Sequence, residues 1–121
     1  AFAINWPDRI AHATTPIDWT TAQSWTFAPI DNEKFPAIDL ARRCGELGGG
    51  LPATFNAANE VAVEAFLAGS ITFTSIMESV DTVVQKLGAG SPITIRDFAD
   101  VSAVEDDARA LAREVIKRMA S

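Results

Sequence analysis

The chain has 121 residues, of which 48% are hydrophobic and 21% charged, a composition typical of one globular domain. Sixteen acidic against ten basic residues give a formal net charge of −6, which argues against nucleic acid and anionic membrane surfaces as partners. No apolar run approaches the ~20 residues of a membrane-spanning helix, and the first residues carry no basic leader, so we expect a cytoplasmic protein. One cysteine and one histidine exclude an internal disulfide and a cysteine zinc site.

Residues 1–34 differ from the rest of the chain. They hold all three tryptophans and three of the six prolines, and they show no helical periodicity. We therefore expect an extended aromatic connector. Within it, Trp25-Thr26-Phe27 has the aromatic and β-branched content of a short strand, which Pro29 limits in length. Such a strand needs a partner that this chain does not obviously supply.

Two helices are predicted after Phe35. The first begins at Pro36, buries Ile38, Ala41 and Leu47, and ends at three consecutive glycines. The second is rich in alanine and runs from residue 53 to 68, before Gly69. Its buried side is predicted to carry Phe55, Ala58, Ala62, Ala65 and Phe66.

Two further helices complete the predicted fold. The third begins near Thr74 or Ser75, where Ser75 and Glu78 have the spacing of a capping box. The fourth begins at Ser102 with Glu105 in the same relation, and Lys117 follows in its last turn. The predicted apolar stripes are Ile76, Val80, Val83, Val84 and Leu87 on the third helix, and Val104, Ala108, Leu111, Val115 and Met119 on the fourth. The sequence thus predicts a mainly α fold, a small four-helix bundle.

Few residues suggest chemistry. Gly48–Gly50 follows no clear strand and precedes no Lys-Ser/Thr pair, so a helix stop is favoured over a phosphate loop. His12 lies in the connector with no nucleophile or carboxylate arranged near it in the sequence, so an exposed histidine is favoured over a base. Cys44 would be a nucleophile only if Arg42 and Arg43 lowered the pKa of an accessible thiol, and a packed or a partly exposed, unreactive thiol is favoured.

The most unusual segment is Asn56-Ala57-Ala58-Asn59-Glu60. Asn56, Asn59 and Glu60 share one face of the second helix. Because unsatisfied buried polar groups cost about 1–3 kcal/mol each, we expect this group to bond neighbouring loop backbone, such as residues 72–74, in a structural network rather than a catalytic one. The acidic run 105–107 is similarly interpreted as a solvated helix start and not as a cation site.

These segments resemble the carboxy-terminal part of the 1-deoxy-D-xylulose 5-phosphate reductoisomerase family. The resemblance covers nearly the whole chain, and the segments occur in the family's order. They are Trp6–Ile10, Pro16–Trp19, Ser24–Pro29, Phe35–Ala37 and, above all, Phe55–Leu67.

The resemblance implies a homodimeric enzyme of non-mevalonate isoprenoid biosynthesis that uses NADPH and Mg²⁺ or Mn²⁺ to make 2-C-methyl-D-erythritol 4-phosphate. It further implies that residues 1–12 finish the catalytic domain, 13–34 form a linker and 35–121 form the helical bundle. The family's catalytic, cofactor-binding and metal-binding residues belong to segments upstream of Ala1, so none is assigned here. The fragment alone is then expected to be inactive, with the catalytic domain of the same chain as its partner. The alternative is a free-standing helical protein-interaction module.

Overall fold

Four α-helices make up the regular structure of the described residues, which are 4–8, 10, 14–90 and 93–119 of a computed structural model. The helices are α1 (Ala37–Leu47), α2 (Leu51–Leu67), α3 (Phe73–Gly88) and α4 (Phe98–Met119). Helix α2 is central because it packs on all three others, most extensively on α3 and α4. The predicted mainly α four-helix bundle is confirmed.

The core lies between α2, α3 and α4. The predicted stripe of α3 is confirmed, since Ile76, Val80, Val83 and Val84 are buried and Leu87 is half-buried. Small side chains on α2 and α4 allow these two helices to approach closely. The fully buried alanines are Ala57, Ala58 and Ala62 on α2, and Ala108 and Ala112 on α4.

The predicted buried face of α1 is wrong. Leu40 and Cys44 are the residues of α1 that enter the core, whereas Ile38 is 49% and Leu47 64% exposed. Helix α1 packs chiefly on α2 and only lightly on α3. Because a peripheral helix of three turns needs only a narrow contact stripe, two buried residues one turn apart suffice.

Two helix starts also differ from the prediction. Helix α3 begins at Phe73, and the Thr72 hydroxyl caps it by accepting a hydrogen bond from the backbone N–H of Ser75 at 3.3 Å. Helix α4 begins at Phe98, four residues before Ser102, so the acidic run 105–107 lies within the helix. Asp97 is the actual cap, since its carboxylate accepts from the N–H of Asp100 at 3.0 Å.

A charged pair closes the first turn of α4. The Arg96 guanidinium donates to both carboxylate oxygens of Asp100, at 2.8 and 2.9 Å. These hydrogen bonds, together with one from the Arg96 backbone, lower the pKa of Asp100 from 3.8 to about 2. The carboxylate is therefore charged at the positive end of the helix dipole throughout the physiological range.

The connector is exposed from residue 15 to residue 30 and forms no helix or strand there; a turn at residues 19–20 follows Asp18, which accepts a hydrogen bond from the backbone N–H of Thr20 at 2.9 Å. Trp19 and Phe27 are each 85% exposed, and Trp25 is 62% exposed. Residues 25–27, predicted as a short strand, pair with no other strand in the described part of the chain. Within the same ranges, no helix combines the length and apolar character that crossing a membrane requires.

Candidate functional site

The glycine loop between α1 and α2 packs against Ile93, in the segment that precedes α4. The Gly50 N–H donates a 3.0 Å hydrogen bond to the carbonyl oxygen of Ile93. A Cβ at Gly49 would overlap that same carbonyl oxygen, and one at Gly50 would meet the Ile93 side chain at 2.8 Å. The loop therefore holds the segment before α4 against the start of α2 and leaves its Gly50 N–H unavailable to a phosphate.

The thiol of Cys44 is part of the core, with 1% of the residue exposed. Burial raises the pKa of the Cys44 thiol, and this outweighs the opposing effect of the nearby Arg43 charge. A buried neutral thiol is a poor nucleophile, so the prediction that Cys44 packs is confirmed. His12 lies outside the described residues.

The polar motif of α2 lies on the side of that helix opposite the core. Helical geometry places Asn56, Asn59, Glu60 and Val63 on one stripe. The other side of α2 carries its buried residues, which are Thr54, Ala57, Ala58, Val61 and Ala62. Asn56 and Glu60 are exposed, whereas Asn59 and Val63 are half-buried. The stripe thus has a polar edge toward α4 and a recessed edge toward α1.

The polar edge forms a side-chain network with α4. Glu60 accepts a hydrogen bond from the amide nitrogen of Asn56 at 3.0 Å and a second from the guanidinium of Arg109 at 3.1 Å. Arg109 also donates to Glu105 at 3.1 Å, and both carboxylates raise the pKa of Arg109. The predicted bonding to the loop at 72–74 is wrong. Among the described residues, Asn56 and Glu60 bond to each other and Glu60 reaches Arg109 of α4, whereas Asn59 takes no part in this network.

We expect Arg109 and Glu60 to be energetically coupled across the α2–α4 contact. In a double-mutant cycle of Arg109→Met and Glu60→Gln, the two losses of stability should be less than additive, because each single change already breaks the ion pair. The coupling should be small and should shrink in 1 M NaCl, since these side chains are solvent-accessible. Urea denaturation midpoints of the four proteins of the cycle, measured without added salt and in 1 M NaCl, give this coupling.

Arg113→Met provides the matched control for that cycle. Arg113 is exposed on the same helix and has no ion pair with another described residue. It should show no coupling to Glu60. Equal coupling in the two cycles would mean that the Glu60–Arg109 contact contributes nothing specific.

The recessed edge of the stripe opens into a groove of about 1030 Å³ between α1, α2 and the first turns of α3, here named the α1–α3 groove. Its floor includes Asn59 and Val63 of α2, and its walls include Phe35, Phe73 and Met77. Phe35 is 51% and Phe73 61% exposed. No hydrogen bond joins the Asn59 side chain to another described residue, so an amide lies unpaired in a largely apolar recess.

The acidic side chains do not gather into a metal centre. Glu105 pairs with Arg109, and the side chain of Asp106 is 83% exposed at 3.9 Å from the same guanidinium. Among the residues that the structure describes, no three His, Cys, Asp or Glu side chains are grouped as metal ligands would be. The acidic run 105–107 lies on the surface of α4. It was predicted in the first turn of the helix but lies further along, because α4 begins at Phe98.

Comparison with known proteins decides the family. The family model of the DXP reductoisomerase C-terminal domain matches residues 1–111. The chain belongs to this reductoisomerase family. The 1-deoxy-D-xylulose 5-phosphate reductoisomerase of Kitasatospora griseola is 49% identical over 95% of the chain, and that of Streptomyces avermitilis is 46% identical over 100%.

A solved reductoisomerase structure agrees with this assignment. The Zymomonas mobilis enzyme, determined in complex with NADPH, matches 96% of the chain with a TM-score of 0.77 and 34% identity. The chain spans about 30% of that structure's length, as it does of the Kitasatospora griseola relative. The family identified from segments such as Phe55–Leu67 is confirmed, and that segment forms most of the central helix of the reductoisomerase domain.

Two features of this reductoisomerase domain escaped the sequence analysis. Arg109 lies forty-nine residues from Glu60, and no local pattern pairs residues so far apart. The α1–α3 groove was missed because Phe35 and Phe73 precede their helices' apolar stripes. The sequence did contain a sign of this groove. Phe35 and Phe73 are large aromatic residues near helix starts, at positions where no core residue was predicted.

Proposed function

We propose that this chain is the C-terminal helical domain of a longer 1-deoxy-D-xylulose 5-phosphate reductoisomerase, and that it supports the catalytic portion without contributing reacting groups. The match of the C-terminal family model to residues 1–111 carries this proposal. The supporting geometry is a bundle whose Cys44 thiol is buried and whose Glu60 and Glu105 carboxylates are engaged in ion pairs.

The proposed division of the chain follows the same assignment. Residues 1–12 end the catalytic domain, residues 13–34 link, and residues 35–121 form the bundle. The exposed Trp19, Trp25 and Phe27 favour a connector that lies against another surface. We propose that residues 25–27 gain their strand partner from the catalytic domain, since extended backbone pairs readily with an open sheet edge.

The parent enzyme is proposed to be a cytoplasmic homodimer that uses NADPH and Mg²⁺ or Mn²⁺. In that parent enzyme, polarisation of the substrate carbonyl would be supplied by the metal and hydride by the nicotinamide, both held by residues outside this chain. The described residues do not fit either group, because they offer neither a cluster of metal ligands nor a free glycine loop at a helix start. No catalytic step is therefore assigned to this chain.

The first test is the intact mass of the native gene product, followed by NADPH oxidation with 1-deoxy-D-xylulose 5-phosphate and Mn²⁺. We expect a polypeptide larger by about two further domains, active as purified, and no turnover by the 121-residue chain under the same conditions. Turnover by the short chain would show that reacting groups lie within it. A full-length product without activity would contradict the proposed reaction.

The second candidate is a free-standing interaction module. The exposed aromatic connector and the α1–α3 groove favour it, because both could bind a separate protein. A native product near 12.9 kDa would support this alternative and contradict the domain assignment.

A further inference from the structure

The α1–α3 groove leaves apolar surface exposed on one side of the bundle. Phe35 and Phe73 are both more than half exposed, and Val63 and Met77 are only half-buried. A recess of about 1030 Å³ is large enough for several side chains of a docked segment. Exposed patches of this kind mark interaction sites.

We propose that a segment of the catalytic portion of the same polypeptide docks in the α1–α3 groove, with apolar side chains on its floor and basic or amide groups at its rim. This inference rests on the proposed function, in which the bundle supports the catalytic portion. It identifies the α1–α3 groove as the face of the bundle that makes the contact. The docked segment has the chemistry of an amphipathic helix or loop with basic flanks.

The occupant follows from the chain that lies outside this structure. The matched relatives are about three times as long as the region they share with this chain, and the family model is that of a C-terminal domain. The connector reaches the bundle at Phe35 and Pro36, and both residues line the groove. The groove therefore opens where the polypeptide arrives from its preceding portion, which gives that portion a high effective concentration there.

Charge at the rim indicates what the docked surface carries. Arg43 pairs with Asp81 at 2.8 Å and Asp39 with Arg42 at 3.3 Å, so these charges largely compensate one another, and the acidic excess at the rim comes from Glu33 and Glu78. The acidic side chains outnumber the basic ones and favour a cationic partner surface. The charged groups lining the groove are Glu33, Asp39, Glu78 and Asp81 against Lys34 and Arg43.

Asn59 provides a polar anchor in the apolar floor. Its amide has one acceptor and two donor positions, and none is used by another described residue. A docked backbone segment would satisfy such an amide, and half-burial already limits its access to water. Asn59 therefore stabilises the docked state and contributes little to the stability of the bundle alone.

Hydrogen exchange of the full-length enzyme tests the groove directly. We expect amides of residues 73–81 to exchange at least tenfold more slowly in the full-length protein than in the 121-residue chain, without substrate or cofactor. Amides of the α4 surface around Ala110 should exchange equally in both proteins. Equal exchange at residues 73–81 would overturn the proposal, even if the full-length enzyme is fully active.

Asn59→Arg in the full-length enzyme tests the same contact, with Asn56→Arg as its matched control. Both residues lie on one stripe of α2, but only Asn59 lines the groove. The arginine at 59 would fill the groove and repel a cationic occupant. We expect chymotrypsin to cleave the connector at Trp19, Trp25 and Phe27 at least tenfold faster in Asn59→Arg and at the unchanged rate in Asn56→Arg.

The remaining outcomes separate the possible occupants. Unchanged cleavage in Asn59→Arg, or equal acceleration in both variants, would contradict docking at the groove. Protection of residues 73–81 that disappears on dilution would assign the groove to a second copy of the chain and overturn the proposal. Absence of reductoisomerase activity in the unmodified full-length protein would instead contradict the proposed function. The two failures are distinguishable because the exchange measurement does not depend on catalysis.

Discussion

Gly49→Ala is expected to lower the free energy of unfolding of the bundle by about 2–4 kcal/mol. Gly49 has φ +57, a left-handed conformation that costs other residues roughly 1–2 kcal/mol. The added Cβ would also overlap the Ile93 carbonyl oxygen, and such overpacking costs typically about 1–3 kcal/mol. The turn would have to move and weaken the Gly50–Ile93 hydrogen bond. Urea denaturation followed by circular dichroism measures the loss.

Gly45→Ala is the matched control for Gly49→Ala. Gly45 lies within α1, and nothing lies within 4 Å of a Cβ added there. Because alanine favours the helix over glycine by about 0.5–1 kcal/mol, this variant should be more stable than the parent. If both variants lost stability equally, the contact of Gly49 with Ile93 would not be the cause.

Ala112→Leu is expected to destabilise the bundle by about 1–3 kcal/mol through overpacking. Ala112 is fully buried on α4, where α4 packs on α2 and α3. The facing helix α2 carries fully buried alanines of its own, including Ala58 and Ala62. Three extra carbon atoms must push the helices apart, because protein interiors have few voids larger than a water molecule. Thermal and urea midpoints measure the effect.

Ala110→Leu controls for the intrinsic effect of leucine on α4. Ala110 is exposed two residues before Ala112, and leucine and alanine are both strong helix formers. Its stability should stay within about 0.5 kcal/mol of the parent, as surface substitutions usually do. An Ala112→Leu protein as stable as Ala110→Leu would mean that α2 and α4 can separate freely.

These stability predictions bear on the proposed function. A domain that supports a catalytic portion must hold its docking face in a fixed shape. Helix α2 connects the core of the bundle with the α1–α3 groove. Its inner side packs on α3 and α4, and its outer stripe carries Asn59 at the groove. The Glu60–Arg109 ion pair at 3.1 Å ties this outer stripe to α4. We therefore expect core substitutions such as Ala112→Leu to loosen the groove as well.

Helix α3 shows how far periodicity alone can predict the fold. Its β-branched and aliphatic residues recur every three to four positions, and Ile76, Val80, Val83 and Val84 are all buried. Helix α1 shows where the same reasoning fails. It has apolar residues on more than one side, and only its packing against α2 selects Leu40 and Cys44 over Ile38 and Leu47.

Helix starts were predicted less well because several capping sequences compete locally. Ser102 and Glu105 have the spacing of a capping box, but Asp97 caps α4 five residues earlier. The bidentate pair between Arg96 and Asp100 stabilises that earlier start. Capping patterns indicate the residues at which a helix can begin. Side-chain pairs such as Arg96–Asp100 decide which of these starts is the most stable.

The sequence by itself determined the helical class, the helix number, the α3 stripe and the reductoisomerase family, because periodicity and ordered family segments are recorded along the chain. The tertiary structure decided the buried face of α1, the Arg109 partner of Glu60 and the existence of the α1–α3 groove. Each of these depends on residues that are distant in sequence and become neighbours only when the helices pack. Local pattern carries no information about which surfaces then remain uncovered.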